Sequence, residues 1–290
     1  MAKLSTVAAK RHQQALDLVY SDKPLRLNDR YFILDNFQES ATNMNGLAGA
    51  FFTPEGLSND LRVEVPECQS MIDLCAGIGR LAFTSRDRAK RIVCVELNPD
   101  YAAVGKRVLP EAEWIVGDVF SIGNLGRFDV AISNPPFGAV KTGSAFSGQY
   151  TGARFEYKVI ETASKIANYG VFIIPQASAP FRYSGQPSYS VEILPDCQRF
   201  MDQTGVVLEH NCGLDTSAYL EEWHGVSPMC EIVLCDFLEN QLAVKDAGLE
   251  VFNPAPRISE ARIPTAKVKQ PEMQPWAPAA ESQLSLFDAA

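Results

Sequence analysis

The sequence predicts an α/β fold: a mostly parallel, seven-stranded sheet with helices on both faces. Three observations predict it. Short apolar runs of strand length occur at 71–74, 92–95, 114–116, 128–132, 170–175, 206–209 and 229–237. They alternate with stretches that read as helices, the pattern of a sheet covered on both sides. The first three runs also close on an acid, at Asp73, Glu96 and Asp118, and the first leads into Gly77 and Gly79. Acids and glycines there stand at the carboxyl ends of the strands, where open α/β sheets bind ligands.

Taken in order, residues 3–20 read as an amphipathic helix with Lys3, Lys10 and Arg11 at its basic start. Lys23, Arg26 and Arg30 extend that character, which suits a solvated face or a contact with phosphates. A second helix is expected over 31–48. Pro54 biases Thr53 towards an extended backbone, so a helix can begin at Pro54 with Thr53 as its cap, finishing before Pro66. A helix over 80–88 follows the first strand, and Pro99 with Asp100 opens another. Residues 138–152, rich in Gly, Ser and Thr, read as a surface loop leaving the fourth strand, able to close over a substrate. A helix is expected over 154–168. Residues 176–190 form a polar loop holding Phe181, Arg182, Tyr183 and Tyr189, which suits either a phosphate and base contact or a packed turn. Residues 191–202 read as helix.

Composition narrows the function classes. The 290 residues are 46% hydrophobic, enough for a full α/β core. A net charge of -9 argues against a non-specific, histone-like coat on nucleic acid, though a local basic groove remains compatible with it. No apolar run reaches the length of a membrane span, and the start lacks the apolar block of a secretory signal, so a cytoplasmic protein without membrane contact is expected. The 7 Cys form no Cys-x-x-Cys pair, so no zinc site is expected.

The motifs are more specific. The first strand and its loop read Met71-Ile72-Asp73-Leu74-Cys75-Ala76-Gly77-Ile78-Gly79-Arg80, and the fourth strand ends in Asn134-Pro135-Pro136-Phe137-Gly138. A dinucleotide-binding fold would share the strand, loop and acid, but position 82 is Ala, so Gly-x-Gly-x-x-Gly is not met. Together the two motifs resemble the S-adenosylmethionine-dependent methyltransferases that modify amino or amide nitrogens. The resemblance spans roughly 49–238 and is nearest to the adenine-N6 DNA enzymes. It implies a Rossmann-like methyltransferase fold and three regions: an N-terminal helical extension at 1–48, the methyltransferase domain at 49–252, and a Pro/Ala-rich tail at 253–290.

The resemblance also implies roles. S-adenosyl-L-methionine would be held by Phe52, Thr53, Pro54, Asp73, Cys75, Gly77, Gly79, Glu96, Asp118 and Asn134. In those roles Asp73 faces the ammonium group, Glu96 the ribose hydroxyls and Asp118 the adenine amine. Asn134, Pro135, Pro136 and Phe137 would be catalytic. The Asn134 side-chain oxygen and the Pro135 carbonyl can each accept one N–H of the target amine, leaving its lone pair free for attack. Phe137 can stack on a base drawn out of a duplex. The implied acceptor is adenine N6 in duplex DNA. An RNA adenine or guanine amine, a protein glutamine amide, cytosine N4 and a catalytically idle binding module stay open. Within the tail, Gln283-Leu284-Ser285-Leu286-Phe287 resembles the pentapeptide that docks bacterial DNA-processing proteins on the replication sliding clamp.

Overall fold

The computed structural model describes residues 5–38, 51–122, 125–140 and 146–238. The described residues all fall within the unit Met1–Arg257. Residues 239–290 lie outside the described residues, and with them Gln283, Leu284, Ser285, Leu286 and Phe287.

Parallel strands β1 (Cys68–Leu74), β2 (Ala89–Glu96), β3 (Glu113–Val116), β4 (Phe128–Ser133) and β5 (Ala167–Pro175) form most of the sheet. Strands β8 (Glu209–His210) and β9 (Cys230–Asp236) complete it, in the order β3-β2-β1-β4-β5-β9-β8. Within this sheet, among the described residues, the β5–β9 and β9–β8 pairings are antiparallel and the others parallel. The sheet is therefore seven-stranded and mostly parallel, as the strand count predicts. Alternate side chains go to opposite faces. Met71, Ile92, Cys94, Val130, Ile132, Val171 and Ile173 enter one apolar cluster, whereas Ile72, Val93, Val95, Ala131, Phe172 and Ile174 enter the other.

Helices cover both faces. On the first lie α1 (Thr6–Val19), α2 (Leu27–Asn36), α3 (Glu55–Val63), α4 (Arg80–Thr84) and α5 (Pro99–Val108), contributing Ala15, Ile33, Leu57, Leu81 and Val104 among others. On the second lie α6 (Phe155–Ile166) and α7 (Pro195–Thr204), with Tyr157, Ile160 and Phe200. None of the described helices is long and apolar enough to cross a membrane.

Several boundaries differ from expectation, each for a local reason. Helix α2 starts at Leu27 and ends at Asn36, because the Asp29 carboxylate accepts the Arg26 N–H at 2.8 Å and fixes an earlier first turn. Phe37 and Gln38 lie beyond the helix, and residues 39–48, the rest of the expected one, are outside the described set. Helix α4 stops at Thr84, because the Arg88 N–H turns back to the Ser85 carbonyl (2.9 Å) and β2 begins at Ala89. The polar stretch 176–190 contains a short ribbon of β6 (Phe181–Arg182) and β7 (Ser190–Val191). There Arg182 is held by the Gln176 carbonyl and by Glu192, so it serves a packed turn. Tyr150, read as part of a surface loop, is buried edge-on against Tyr157 and Phe200.

Strand order reverses between β1 and β4, with β2 and β3 on one side and β5, β9 and β8 on the other. The chains leaving the two strands therefore diverge and open a crevice at their carboxyl ends. Asp73 pairs in register with Ile132, two residues before Asn134, so the sheet itself brings the two motifs together.

Candidate active site at the β1–β4 crevice

The loop after β1 is shaped by its backbone. Cys75 (φ 66°) and Gly77 (φ 57°) take left-handed conformations, the first unusual for a residue with a side chain. At Gly77 a Cβ would come within 3.2 Å of the Phe52 ring, so glycine permits this close approach. Gly79 (φ 89°) has a different duty: its Cβ would lie 3.0 Å from the Trp114 indole, so this glycine lets β3 pack on the loop.

Glu96, at the end of β2, fixes the loop from the side. Its carboxylate accepts the Gly77 N–H and the Asn98 N–H, both at 2.7 Å, and the residue is only 8% exposed. Burial raises its pKa, and the backbone donors pull in the opposite direction. Asp73 is deeper, at 1% exposure. One of its oxygens accepts the Ala82 N–H at 3.2 Å, while Oδ1 is buried with no hydrogen-bond partner among the described residues. Burial holds its pKa well above the ordinary carboxylate range, and the nearby Glu96 charge adds to this.

From the other side comes the segment before α3. Helix α3 begins at Glu55 with Pro54 at the cap position, and the Pro54 carbonyl accepts the Ser58 N–H at 3.0 Å. Thr53 is not the cap. Its hydroxyl accepts the side-chain N–H of Asn134 at 2.9 Å, and the Phe51 carbonyl accepts from the same nitrogen at 3.3 Å. The carbonyl can only accept, so these contacts fix which end of the Asn134 amide is nitrogen. The other end, Oδ1, is buried and has no partner among the described residues. Ser133 adds a tie between the strands by donating its hydroxyl to the Leu74 carbonyl.

One cavity gathers Phe52, Thr53, Asp73, Cys75, Gly77 and Asn134. Phe51 shares it, and so does Arg80, to which the motif reading gave no role. Its volume is about 30 Å³ and it opens to solvent, so a larger ligand extends beyond it. Pro54, Gly79, Glu96 and Asp118 do not line it. The Asp118 carboxylate accepts the Phe120 N–H at 3.0 Å, closing a turn after β3. Pro135 is buried, and Phe137 is half-buried against the first apolar cluster.

The motif after β4 is held from α6. Glu156 is fully buried; one oxygen accepts the Gly138 N–H at 2.9 Å and the other the Ser178 hydroxyl at 2.7 Å. Glu161 accepts the N–H groups of Gln149 (2.6 Å) and Tyr150 (2.9 Å). Neither glutamate was visible as a site residue in the sequence, because acids on a helix ordinarily read as a solvated face.

No protein-family model matches the chain. No curated protein matches it either. Among solved structures it is similar to a provisionally named RNA methyltransferase from Pyrococcus horikoshii, with 19% identity, a TM-score of 0.44, and 67% of this chain and 91% of that one covered. It is also similar to a modification subunit of a provisionally assigned type I restriction enzyme from Vibrio vulnificus, with 12% identity, a TM-score of 0.48, and 73% and 50% covered. A third is a TehB-like SAM-dependent methyltransferase from Corynebacterium glutamicum, with 15% identity, a TM-score of 0.40, and 66% and 91% covered.

Proposed function

We propose that this chain is an S-adenosyl-L-methionine-dependent methyltransferase acting on an exocyclic amine of a nucleic-acid base. The observation that carries the reading is the state of Asn134. Its nitrogen is engaged by Thr53 and Phe51, and its oxygen is a buried acceptor with no partner among the described residues, on a residue that lines the same cavity as Asp73. An acceptor held in that way suits a ligand N–H.

The residues fit the cofactor. A buried carboxyl oxygen on Asp73 has no partner among the described residues and suits an ammonium group. Gly77 leaves the loop backbone without a side chain at its closest approach to Phe52. The bound cofactor supplies an electrophilic methyl group on a sulfonium. Asn134 Oδ1 accepts one amine N–H and the Pro135 carbonyl the other, so the nitrogen lone pair is drawn out of conjugation and aimed. This is catalysis by positioning and electrostatics, with no strong base required. The amine becomes acidic only after transfer, so its proton can pass to solvent. Phe137 offers a ring against the base, and for a duplex target such stacking offsets part of the cost of flipping, a few kcal/mol.

Adenine N6 in duplex DNA is the finer form of this reading. An RNA adenine or guanine amine stands level with it, because the Phe51–Pro54 segment serves either acceptor through Asn134. In the DNA form, Gln283, Leu284, Ser285, Leu286 and Phe287 would tether the enzyme to a bacterial sliding clamp, raising its local concentration on DNA. The deciding experiment incubates the chain and labelled S-adenosyl-L-methionine with duplex DNA, structured RNA and a glutamine-containing protein acceptor, then digests the product to nucleosides. Labelled N6-methyladenine from DNA supports the finer reading, and a labelled base from RNA alone moves the enzyme to RNA. Label only in the protein acceptor, or no label anywhere, refutes action on a base.

A further inference from the structure

Arg80 has no place in the motif reading, yet it stands on the cavity with Asp73 and Asn134. It is 6% exposed. Its Nη2 pairs with Asp35 of α2, while Nη1 is buried and has no hydrogen-bond partner among the described residues. A guanidinium N–H left unpaired in a protein interior is costly, and so is the unpaired oxygen of Asp73. The two do not satisfy each other: the ion pair of Arg80 is with Asp35. The cavity is therefore lined by a guanidinium and a carboxyl group, each with one buried polar atom that has no hydrogen-bond partner among the described residues. A ligand that answers both carries an anionic oxygen and a cationic N–H close together. A phosphate or a plain carboxylate would satisfy Arg80 but leave Asp73 without a donor. The α-amino-acid group of a methionyl ligand satisfies both.

We infer that Arg80 binds the α-carboxylate of the cofactor's methionyl end, opposite Asp73 on the ammonium, an inference that rests on the methyltransferase reading. Asp35 is then a positioning residue. It takes Nη2 and leaves Nη1 for the ligand, which makes helix α2 part of the cofactor site. The arrangement favours the intact amino-acid head over nucleosides that lack it.

The test is titration calorimetry on the full chain with two probes, S-adenosylhomocysteine and 5′-methylthioadenosine, the second lacking the amino-acid group. Wild type should bind the first more tightly. Arg80→Met should weaken S-adenosylhomocysteine roughly ten- to hundredfold, the range of a hydrogen bond between charged groups, and leave 5′-methylthioadenosine within about twofold. Arg80→Lys should fall between, because an ammonium keeps the charge but loses the planar fork. Unchanged S-adenosylhomocysteine affinity in Arg80→Met overturns the inference and leaves the methyltransferase reading intact. Equal losses for both probes also overturn it, assigning Arg80 to fold maintenance through Asp35. Wild type that binds neither probe overturns the methyltransferase reading and the inference with it.

Discussion

Thr53 and Asn134 lie 81 residues apart in sequence and 2.9 Å apart at their side chains, the hydroxyl of the first accepting from the amide of the second. The bond joins the segment before α3 to the end of β4 and decides which way Asn134 faces. Thr53→Val keeps the side-chain shape and removes the acceptor. A hydrogen bond of this kind contributes about 1 kcal/mol. A urea-denaturation cycle of Thr53→Val, Asn134→Ala and the double variant should return a coupling of that size. Additive effects would mean that the two side chains do not hold each other.

Asn134→Ala removes the acceptor proposed for the target amine. The turnover number should fall at least ~100-fold, the scale for loss of one preorganised polar group, with calorimetric affinity for S-adenosylhomocysteine changed little. Retention of near-wild-type turnover would remove Asn134 from the chemistry.

Glu96 is held by two backbone donors, one on each side. A glutamine there has a single acceptor oxygen, so its amide group must face an N–H. Glu96→Gln should therefore destabilise the fold by about 2 kcal/mol, although its shape is nearly unchanged. The denaturation midpoint reads this directly. A ribose-binding role would appear separately, as weakened binding of 5′-methylthioadenosine beyond what lower stability explains.

Asp73 gives the chain a pH signature. Its folded-state pKa is raised, first by burial, so the native state keeps a proton that the unfolded chain loses near pH 4. Unfolded chains then bind fewer protons than folded ones. The contribution of Asp73 to stability is fully present below about pH 4, falls as pH rises, and levels off only above the raised folded pKa. Asp73→Asn should flatten this decline in a series of denaturation midpoints. Saturating S-adenosylhomocysteine should also flatten it, because an ammonium beside Asp73 favours the charged form.

The sheet was legible because its signals are local. Apolar runs of strand length marked β1 to β5 and β9, and Asp73 and Asn134, which line one cavity, were singled out as candidates from what surrounds them in sequence. The short edge strand β8 was placed only approximately, because Glu209 and His210 are exposed and carry no apolar pattern. Arg80 was missed for another reason: its partner Asp35 is 45 residues upstream, in a helix that sequence reasoning placed too late. Thr53 had two readings, helix cap or holder of a cofactor; the cap position goes to Pro54, and the Thr53 hydroxyl is set on Asn134. Glu156 and Glu161 looked like ordinary helical acids. Their burial is a consequence of what they hold, and no sequence period reports that.

The footings on α6 bear on how this protein could acquire new specificity. Glu156 secures Gly138, and Glu161 secures Gln149 and Tyr150, so the chain departs from and returns to one rigid helix. Between them Phe146 packs edge-on against Phe120, and Val140 lies against the second apolar cluster, so an exchange in this stretch has to keep those contacts as well as the footings. Asn134-Pro135-Pro136-Phe137 is then still followed by a backbone anchored on α6.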